Sequence, residues 1–211
     1  MATHINRQPF TNKAELKQWV KDSQPYYKKH IPEVYNYFLK KSGLYMNIFY
    51  LHPDPAKAAS YFYDKHKVKM ILESAQMLCT AHHCYGDAEQ RSNVPYRQAH
   101  LNHPSTIWAR RSRLTYMWLY DHMIALGKEY TKRYGKHHLT ITKCRDFLST
   151  PPKYIQGNEW VEPPQCMPDE YKADSSLVAY WNYYENEKHT VKNKNEQKII
   201  RPHNINELCE H

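Results

Sequence analysis

Residues 65–81, KHKVKMILESAQMLCTA, are the stretch that decides the fold class. Apolar side chains recur in it at intervals of three and four residues, which is the spacing of one face of an amphipathic helix. They are Val68, Leu72, Ala75 and Cys79, with Ile71 and Leu78 beside them. The pattern predicts a helix whose apolar face lies in the core.

Prolines and glycines elsewhere indicate further helices. Pro104 is expected to open a long helical stretch that reaches Gly127, and a helical piece follows it to a break near Gly135. Short helices are expected at residues 140–148 and 176–187, on either side of a proline-rich crossing segment. The apolar run LYMNIFYL at residues 44–51 is the best strand candidate. We therefore predict a mostly α fold, a single helical domain with a small β element near residues 44–51.

The predicted organisation has three parts. Residues 1–43 form an N-terminal helical extension, which could bind a host or phage protein partner. Residues 44–188 form the core helical domain. Residues 189–211 form a basic, mobile C-terminal tail.

Composition limits the class of protein. The 211 residues carry a formal charge of +9, and the five cysteines are odd in number and form no C-x-x-C pair. Free thiols and the lack of an apolar leader or an 18-residue apolar run predict a cytoplasmic protein with no membrane partner. The basic surplus favours phosphate polyanions as partners, although a basic charge can also serve solubility alone.

One polar face of the 65–81 helix is the first candidate site. His66, Lys69, Glu73 and Gln76 share that face, beside the apolar stripe. A half-buried row of this kind costs desolvation energy unless its members pair or bind a ligand. It suits general acid–base chemistry with an anion-binding lysine. The alternative is a solvated face on which Lys69 and Glu73 form an ordinary i,i+4 pair.

A histidine cluster follows this helix. His82, His100 and His103 could hold a divalent metal, since imidazole suits zinc and similar ions. The metal is not favoured as a cofactor, because the spacing matches no standard zinc signature. Two alternatives are that His103 caps the helix that Pro104 opens, or that it takes part in catalysis without a metal.

Cations and aromatic residues suggest a nucleic-acid surface. Guanidinium groups bind phosphate through two parallel hydrogen bonds, and aromatic rings can stack on bases. The candidate phosphate-binding residues are Lys65, Lys69, Arg110, Arg113, Arg133 and Lys136, and the candidate stacking residues are Trp108 and Tyr116. At helical spacing, aromatic residues more often belong to the core, and charged groups often lie on a solvated surface.

Several longer stretches occur in an order that resembles a family of small, uncharacterised proteins of tailed phages, including T4-like phages and phages of cyanobacteria. The matching stretches are MNIFYLHPDPAKAA (46–59), DKHKVKMILESAQML (64–78), YRQAHLNHPSTIWARRSRLTYMWL (96–119), EYTKRYGKHH (129–138) and MPDEYK (167–172). The resemblance covers roughly residues 45–188. It implies an auxiliary protein made in an infected host cell, a setting in which such proteins act on DNA, nucleotides or host defences.

The leading hypothesis is therefore a phage enzyme acting on nucleic acid or nucleotides. His66, Glu73 or His103 would move protons, and the reaction is base removal, phosphodiester cleavage or base modification. The alternatives are a non-catalytic DNA-binding or host-takeover protein and a metal-dependent hydrolase that uses the three histidines. No Walker loop, nucleophile elbow, H-E-x-x-H motif or dinucleotide fingerprint is present in the sequence.

Overall fold

The computed structural model describes residues 47–192, 196–205 and 208, together with Ala14 and Gln18. The chain divides into two compact units, Met1–Met46 and Asn47–His211. In the first unit, Ala14 and Gln18 are helical and exposed. The rest of the extension predicted for residues 1–43 lies outside the described residues.

The described part of the second unit is helical and contains no β-strand, which confirms the predicted mostly α fold. We number its α-helices from the first one of this unit. They are α1 (Pro55–Ser60), α2 (Asp64–Tyr85), α3 (Ala88–Ser92), α4 (Pro104–Ala109), α5 (Arg113–Tyr134), α6 (Leu139–Leu148) and α7 (Ser176–Glu187). Two 3₁₀ turns, Asp169–Tyr171 and Lys188–Val191, accompany them. None of the described helices has both the length and the apolar composition needed to cross a membrane.

The two longest helices, α2 and α5, pack against each other and form the centre of the unit, with α1 on α5 and with α4 and α6 on α2. The predicted core face of α2 is correct for Ile71, Ala75 and Leu78, which are fully buried. It is wrong for Val68 and Leu72, which are 37% and 39% exposed. Helix α2 is buried on several sides further along its length, so one straight stripe does not describe its contacts.

The predicted β element is absent from the described residues 47–51. Asn47 accepts hydrogen bonds on Oδ1 from the backbone N–H groups of Ile48 and Phe49, and Phe49 has a positive φ of 52°. This local bonding turns the chain and competes with a strand ladder. The segment is nevertheless almost fully buried, and the Leu51 carbonyl accepts a hydrogen bond from Nε1 of Trp181 in α7.

The long helix expected from Pro104 is two helices. Helix α4 ends at Ala109, and Ser112 begins α5 with a capping box in which Ser112 and Thr115 bond each other's backbone N–H groups. Helix α5 then continues through Gly127, where an end was predicted. A Cβ at Gly127 would lie 2.7 Å from Ile141, so glycine here permits close packing against α6. The predicted end at Gly135 is confirmed by its left-handed φ of 66°.

The proline-rich segment between α6 and α7 contains no α-helix or strand, and its regular part is the 3₁₀ turn Asp169–Tyr171. Its carbonyls are satisfied by side chains of the helices: Trp108 donates to Val161, Ser112 to Glu159 and Tyr180 to Pro164. In the segment predicted to be a tail, the Ile199 N–H donates to the Tyr63 hydroxyl, and Ile205 is buried. The described residues of that segment therefore contact the helices.

A row of charges ties the start of α2 to the end of α5. Lys67 Nζ lies 3.3 Å from Glu129 Oε2 and 3.8 Å from Asp64 Oδ1, and Arg133 Nε lies 2.6 Å from Asp64 Oδ2. The side chains of Asp64 and Lys67 are only 7% and 10% exposed. Removing one partner from such a row leaves a charge that is both buried and poorly compensated.

We expect Asp64→Asn to lower the free energy of unfolding by about 2 kcal/mol, somewhat below the usual cost of breaking a buried pair because the network is partly solvated. Urea unfolding followed by circular dichroism measures this loss. The control is Asp146→Asn, which alters a surface pair between Arg145 and an 87%-exposed carboxylate and should change stability little. Equal effects of the two substitutions would contradict the structural role of the row.

Candidate active site

Glu73, near the middle of α2, is a carboxylate held out of solvent. Its side chain is 12% exposed, and Lys69, one turn earlier, lies with Nζ 2.9 Å from Oε1. The other oxygen, Oε2, is buried and has no hydrogen-bond partner among the described residues. One oxygen of this carboxyl group is thus held by Lys69, and the other is buried without a partner among the described residues.

Burial raises the pKa of Glu73, because desolvation penalises the ionised form. The Lys69 ammonium, the backbone N–H of Asn47 and the charge of Lys188 act in the opposite direction and favour the ionised form. Burial is the larger influence, so the pKa of this carboxyl is above its ordinary value. A raised pKa brings a carboxyl closer to neutral pH, where it can both accept and donate a proton.

His66 lies one turn before Lys69 and is buried among aromatic rings. Its ring centroid is 4.9 Å from that of Phe49, and its Nδ1 is 3.3 Å from the Tyr184 hydroxyl. Burial lowers the pKa of His66 to about 3, and the charges of Lys188 and Lys69 lower it further. A pKa this low favours the neutral imidazole at neutral pH, a form that can donate or accept a hydrogen bond.

Lys188 belongs to this site although sequence reasoning missed it. It caps the end of α7, and its Nζ lies 4.3 Å from the Tyr183 ring centroid and 5.9 Å from that of Phe49. Its charge lowers the pKa values of both His66 and Glu73. It stands next to the predicted basic tail in the sequence, and no spacing pattern links it to α2.

The three histidines of the metal hypothesis have separate roles. His82 Nε2 lies 2.9 Å from the Tyr116 hydroxyl, and His103 caps α4 by accepting on Nδ1 from the Ser105 N–H. His100 is exposed in the loop between α3 and α4, with a φ of 50°. The described residues contain no group of three or more His, Cys, Asp or Glu placed to hold a metal. The structure thus does not bring the three histidines together as a metal site. Burial also lowers the pKa of His103 to about 4.

Trp108 and Tyr116 are core residues, so the stacking prediction is wrong for both. Trp108 is 4% exposed and donates from Nε1 to the Val161 carbonyl. Tyr116 is fully buried and donates its hydroxyl to the Leu148 carbonyl. Their helical spacing is compatible with either a stacking surface or a core position. The tertiary contacts show that both rings lie in the core.

The predicted phosphate-binding cations fall into two groups. Lys69 is exposed on α2 beside Glu73, and Lys65 is exposed one turn before Lys69. The ion pair with Asp64 brings Arg133 to the start of that helix. Arg113 is twenty residues before Arg133 on the same helix, which places the two about 30 Å apart. Arg110 lies beside Arg113 at that distant end, and its buried Nη1 has no partner in the described part of the chain. Lys136 is exposed just past the end of α5.

This arrangement can perform proton transfer beside a polyanion. Glu73 supplies the titrating group, and Lys69 and Lys188 supply positive charge near it. His66 and Tyr184 form a neutral hydrogen-bonded pair along one side. The combination suits a substrate in which a phosphate anchors one part while a neighbouring bond is broken.

A family model described as pyrimidine dimer DNA glycosylase matches residues 46–142. That span is a little under half of the chain and contains Asn47, His66, Lys69 and Glu73. Neither the search of curated proteins nor the search of solved structures found a match. The chain is thus similar to a family of DNA-acting, base-removing enzymes, and this similarity supports the prediction of a protein that acts on nucleic acid.

The raised pKa of Glu73 has a consequence for stability. Below its ordinary pKa of 4.5 the carboxyl is protonated in both the folded and the unfolded chain. As pH rises, the unfolded chain ionises first, so the stability contribution of the neutral carboxyl is lost between the ordinary and the raised pKa. We expect the stability of the wild type relative to Glu73→Gln to fall over that interval. Urea unfolding of both proteins from pH 3.5 to pH 8 measures it, and a constant difference would contradict the burial argument.

Lys188→Met tests whether Lys188 faces the site. Because its charge lowers the pKa of His66, removing that charge should raise the pKa of His66 from about 3. The value should remain below 6.5, since burial is the larger cause. Titration of the His66 ring resonances by NMR gives the result, with exposed Lys198→Met as the matched control. An unchanged His66 titration would remove Lys188 from the site.

Proposed function

We propose that this protein is a DNA glycosylase that removes damaged pyrimidine bases, with Glu73 as the acid–base group. The observation that carries the proposal is the buried Glu73 carboxyl, with Oε1 held by Lys69 and Oε2 free of partners among the described residues. The similarity to pyrimidine dimer DNA glycosylases over residues 46–142 supplies the reaction class and the substrate.

The proposed reaction is hydrolysis of the bond between a base and its deoxyribose. The ionised Glu73 accepts a proton from a water molecule, and the water oxygen bonds to the sugar carbon as the bond to the base nitrogen breaks. The departing base takes up the proton that Glu73 accepted. In a pyrimidine dimer this base stays joined to its neighbour, so the products are an abasic sugar and a base that is held to the strand through the second pyrimidine of the dimer. A carboxylate also stabilises the positive charge that develops on the sugar carbon. Proton transfer of this kind contributes roughly 10²–10⁴-fold to a rate.

The cations next to Glu73 would hold the DNA strand. The Lys69 side chain is 56% exposed, and an ammonium group has three donors, so pairing with Glu73 leaves two of them for a phosphate. Lys65 is exposed one turn earlier on the same face. We further propose, from the resemblance to tailed-phage proteins, that the enzyme acts in an infected host cell.

The test uses end-labelled DNA that has been irradiated with ultraviolet light, incubated with the purified protein and then treated with hot alkali. We expect breaks at adjacent pyrimidines in irradiated DNA and none in undamaged DNA. Glu73→Gln should lower the rate at which alkali-dependent breaks form by roughly 10²–10⁴-fold, because glutamine cannot accept the proton. Binding to the same DNA should change far less, since the lysines remain.

The matched control is Glu89→Gln, which makes the same chemical change at an exposed position on α3. It should keep full activity. Full activity of Glu73→Gln would refute the role of Glu73. If the wild type bound irradiated DNA and produced no breaks with or without alkali, the non-catalytic DNA-binding alternative would replace the glycosylase.

A further inference from the structure

The second unit contains an open cleft that the proposed reaction does not use. Its volume is about 430 Å³, within the size range of ligand sites in proteins. The residues that line it are Tyr50, His52, Pro53, Asp54, Trp118, Trp160, Glu162, Leu177 and Leu208. None of these residues is among the groups that form the Glu73 site. The cleft combines aromatic surface with two carboxylates, which is an unusual combination on a chain of net charge +9.

Three aromatic rings form one continuous wall of the cleft. The Tyr50 ring centroid lies 5.2 Å from that of Trp118 and 5.9 Å from that of Trp160, and the two tryptophans are 6.3 Å apart. A flat guest between two rings needs about 7 Å, because each contact takes about 3.5 Å. The rings therefore leave no slot between them. Trp160, which is 40% exposed, offers its surface to a guest lying on the wall.

Both carboxylates at the cleft are fixed by backbone N–H groups. Asp54 accepts on Oδ1 from Ala56 and Lys57, and Glu162 accepts on Oε2 from Ser176 at the start of α7. The hydrogen bonds at Asp54 lower its pKa, so it is an anion at neutral pH. Each carboxylate thus has a fixed orientation and a second oxygen for a ligand.

The remaining polar groups of the cleft do not neutralise these anions completely. His52 accepts on Nδ1 from the Asp54 N–H, and burial lowers the pKa of His52, so its ring adds no charge at neutral pH. Lys57 lies close enough to lower the pKa of His52 as well. Two carboxylates and one nearby ammonium leave the region anionic, which disfavours a phosphate.

We propose that this cleft binds the guanidinium group of an arginine side chain presented by a partner protein. A guanidinium is flat and permanently charged, and it stacks on tryptophan while donating to carboxylates in its own plane. An uncharged nucleobase would stack but gain nothing from the anions. A lysine ammonium would gain from the charges but could not lie flat on Trp160. The proposal does not depend on the glycosylase activity, and each of the two can be refuted without the other.

The probe is the peptide acetyl-Ala-Arg-Ala-amide, added to the full chain while the indole N–H of Trp160 is followed by NMR. We expect saturable chemical-shift changes with a dissociation constant of roughly 1 mM, because a single side chain anchors the peptide. The same peptide with citrulline in place of arginine keeps the shape and loses the charge, and it should bind at least about tenfold more weakly. Free L-arginine should also bind more weakly, because its own carboxylate faces an anionic cleft.

Substitutions in and beside the cleft should change the affinity for the peptide in opposite directions. Trp160→Leu and Glu162→Gln should each weaken peptide binding by roughly fivefold to tenfold, and the glutamine retains an acceptor for the Ser176 N–H. Because Trp160→Leu removes the indole signal, peptide binding to this variant is followed through the resonances of other cleft residues. Lys57→Gln should strengthen binding, because it removes the opposing cation. The control is Tyr154→Leu, which alters a 51%-exposed aromatic outside the cleft and should have no effect.

Three results would overturn the proposal. They are equal binding of the arginine and citrulline peptides, tighter binding of adenosine than of the arginine peptide, and weaker peptide binding by Lys57→Gln. Binding of free arginine at least as tight as that of the peptide would reject a partner protein as the source. A thermal melt of each variant ensures that only folded proteins are compared.

Discussion

The buried segment of residues 47–51 is the feature on which the rest of the second unit depends. It has no strand partner among the described residues, so its polar groups are satisfied by side chains: Trp181 donates to the Leu51 carbonyl, and Asn47 donates to the Cys166 carbonyl. Burying a backbone without such partners would cost several kcal/mol. These bonds join α7 and the proline-rich crossing to the segment that covers Glu73.

The same segment supplies both candidate sites. Asn47 and Phe49 face α2 and α7, where the Asn47 N–H favours the ionised form of Glu73 and the Phe49 ring contacts His66. Tyr50 and His52 face the aromatic cleft. The two sets of contacts involve different residues of this one short segment. The cationic region around Glu73 and the anionic cleft therefore share no charged side chain. One charge pattern favours a nucleic acid, and the other favours a basic protein surface.

Local sequence rules predicted the elements better than their junctions. Helical spacing identified α2, and Pro104 and Gly135 marked helix ends that the structure confirms. The same rules failed at Gly127, where glycine allows close packing against Ile141 instead of ending the helix. They also failed at residues 47–51, since an apolar run is compatible with any buried conformation. At Gly127 a contact with another helix decided the outcome, and at residues 47–51 the local hydrogen bonds of Asn47 did.

The sequence by itself determined the helical class and the face that carries His66, Lys69 and Glu73, because both follow from a period of 3.6 residues within one helix. Tertiary structure alone decided which of those groups lost water, and therefore which pKa values moved. It also brought Lys188 to Glu73, placed Trp160 rather than Trp108 at a surface, and separated the three histidines of the metal hypothesis. Proximity between residues far apart in the chain arises only from packing, and desolvation depends on that packing.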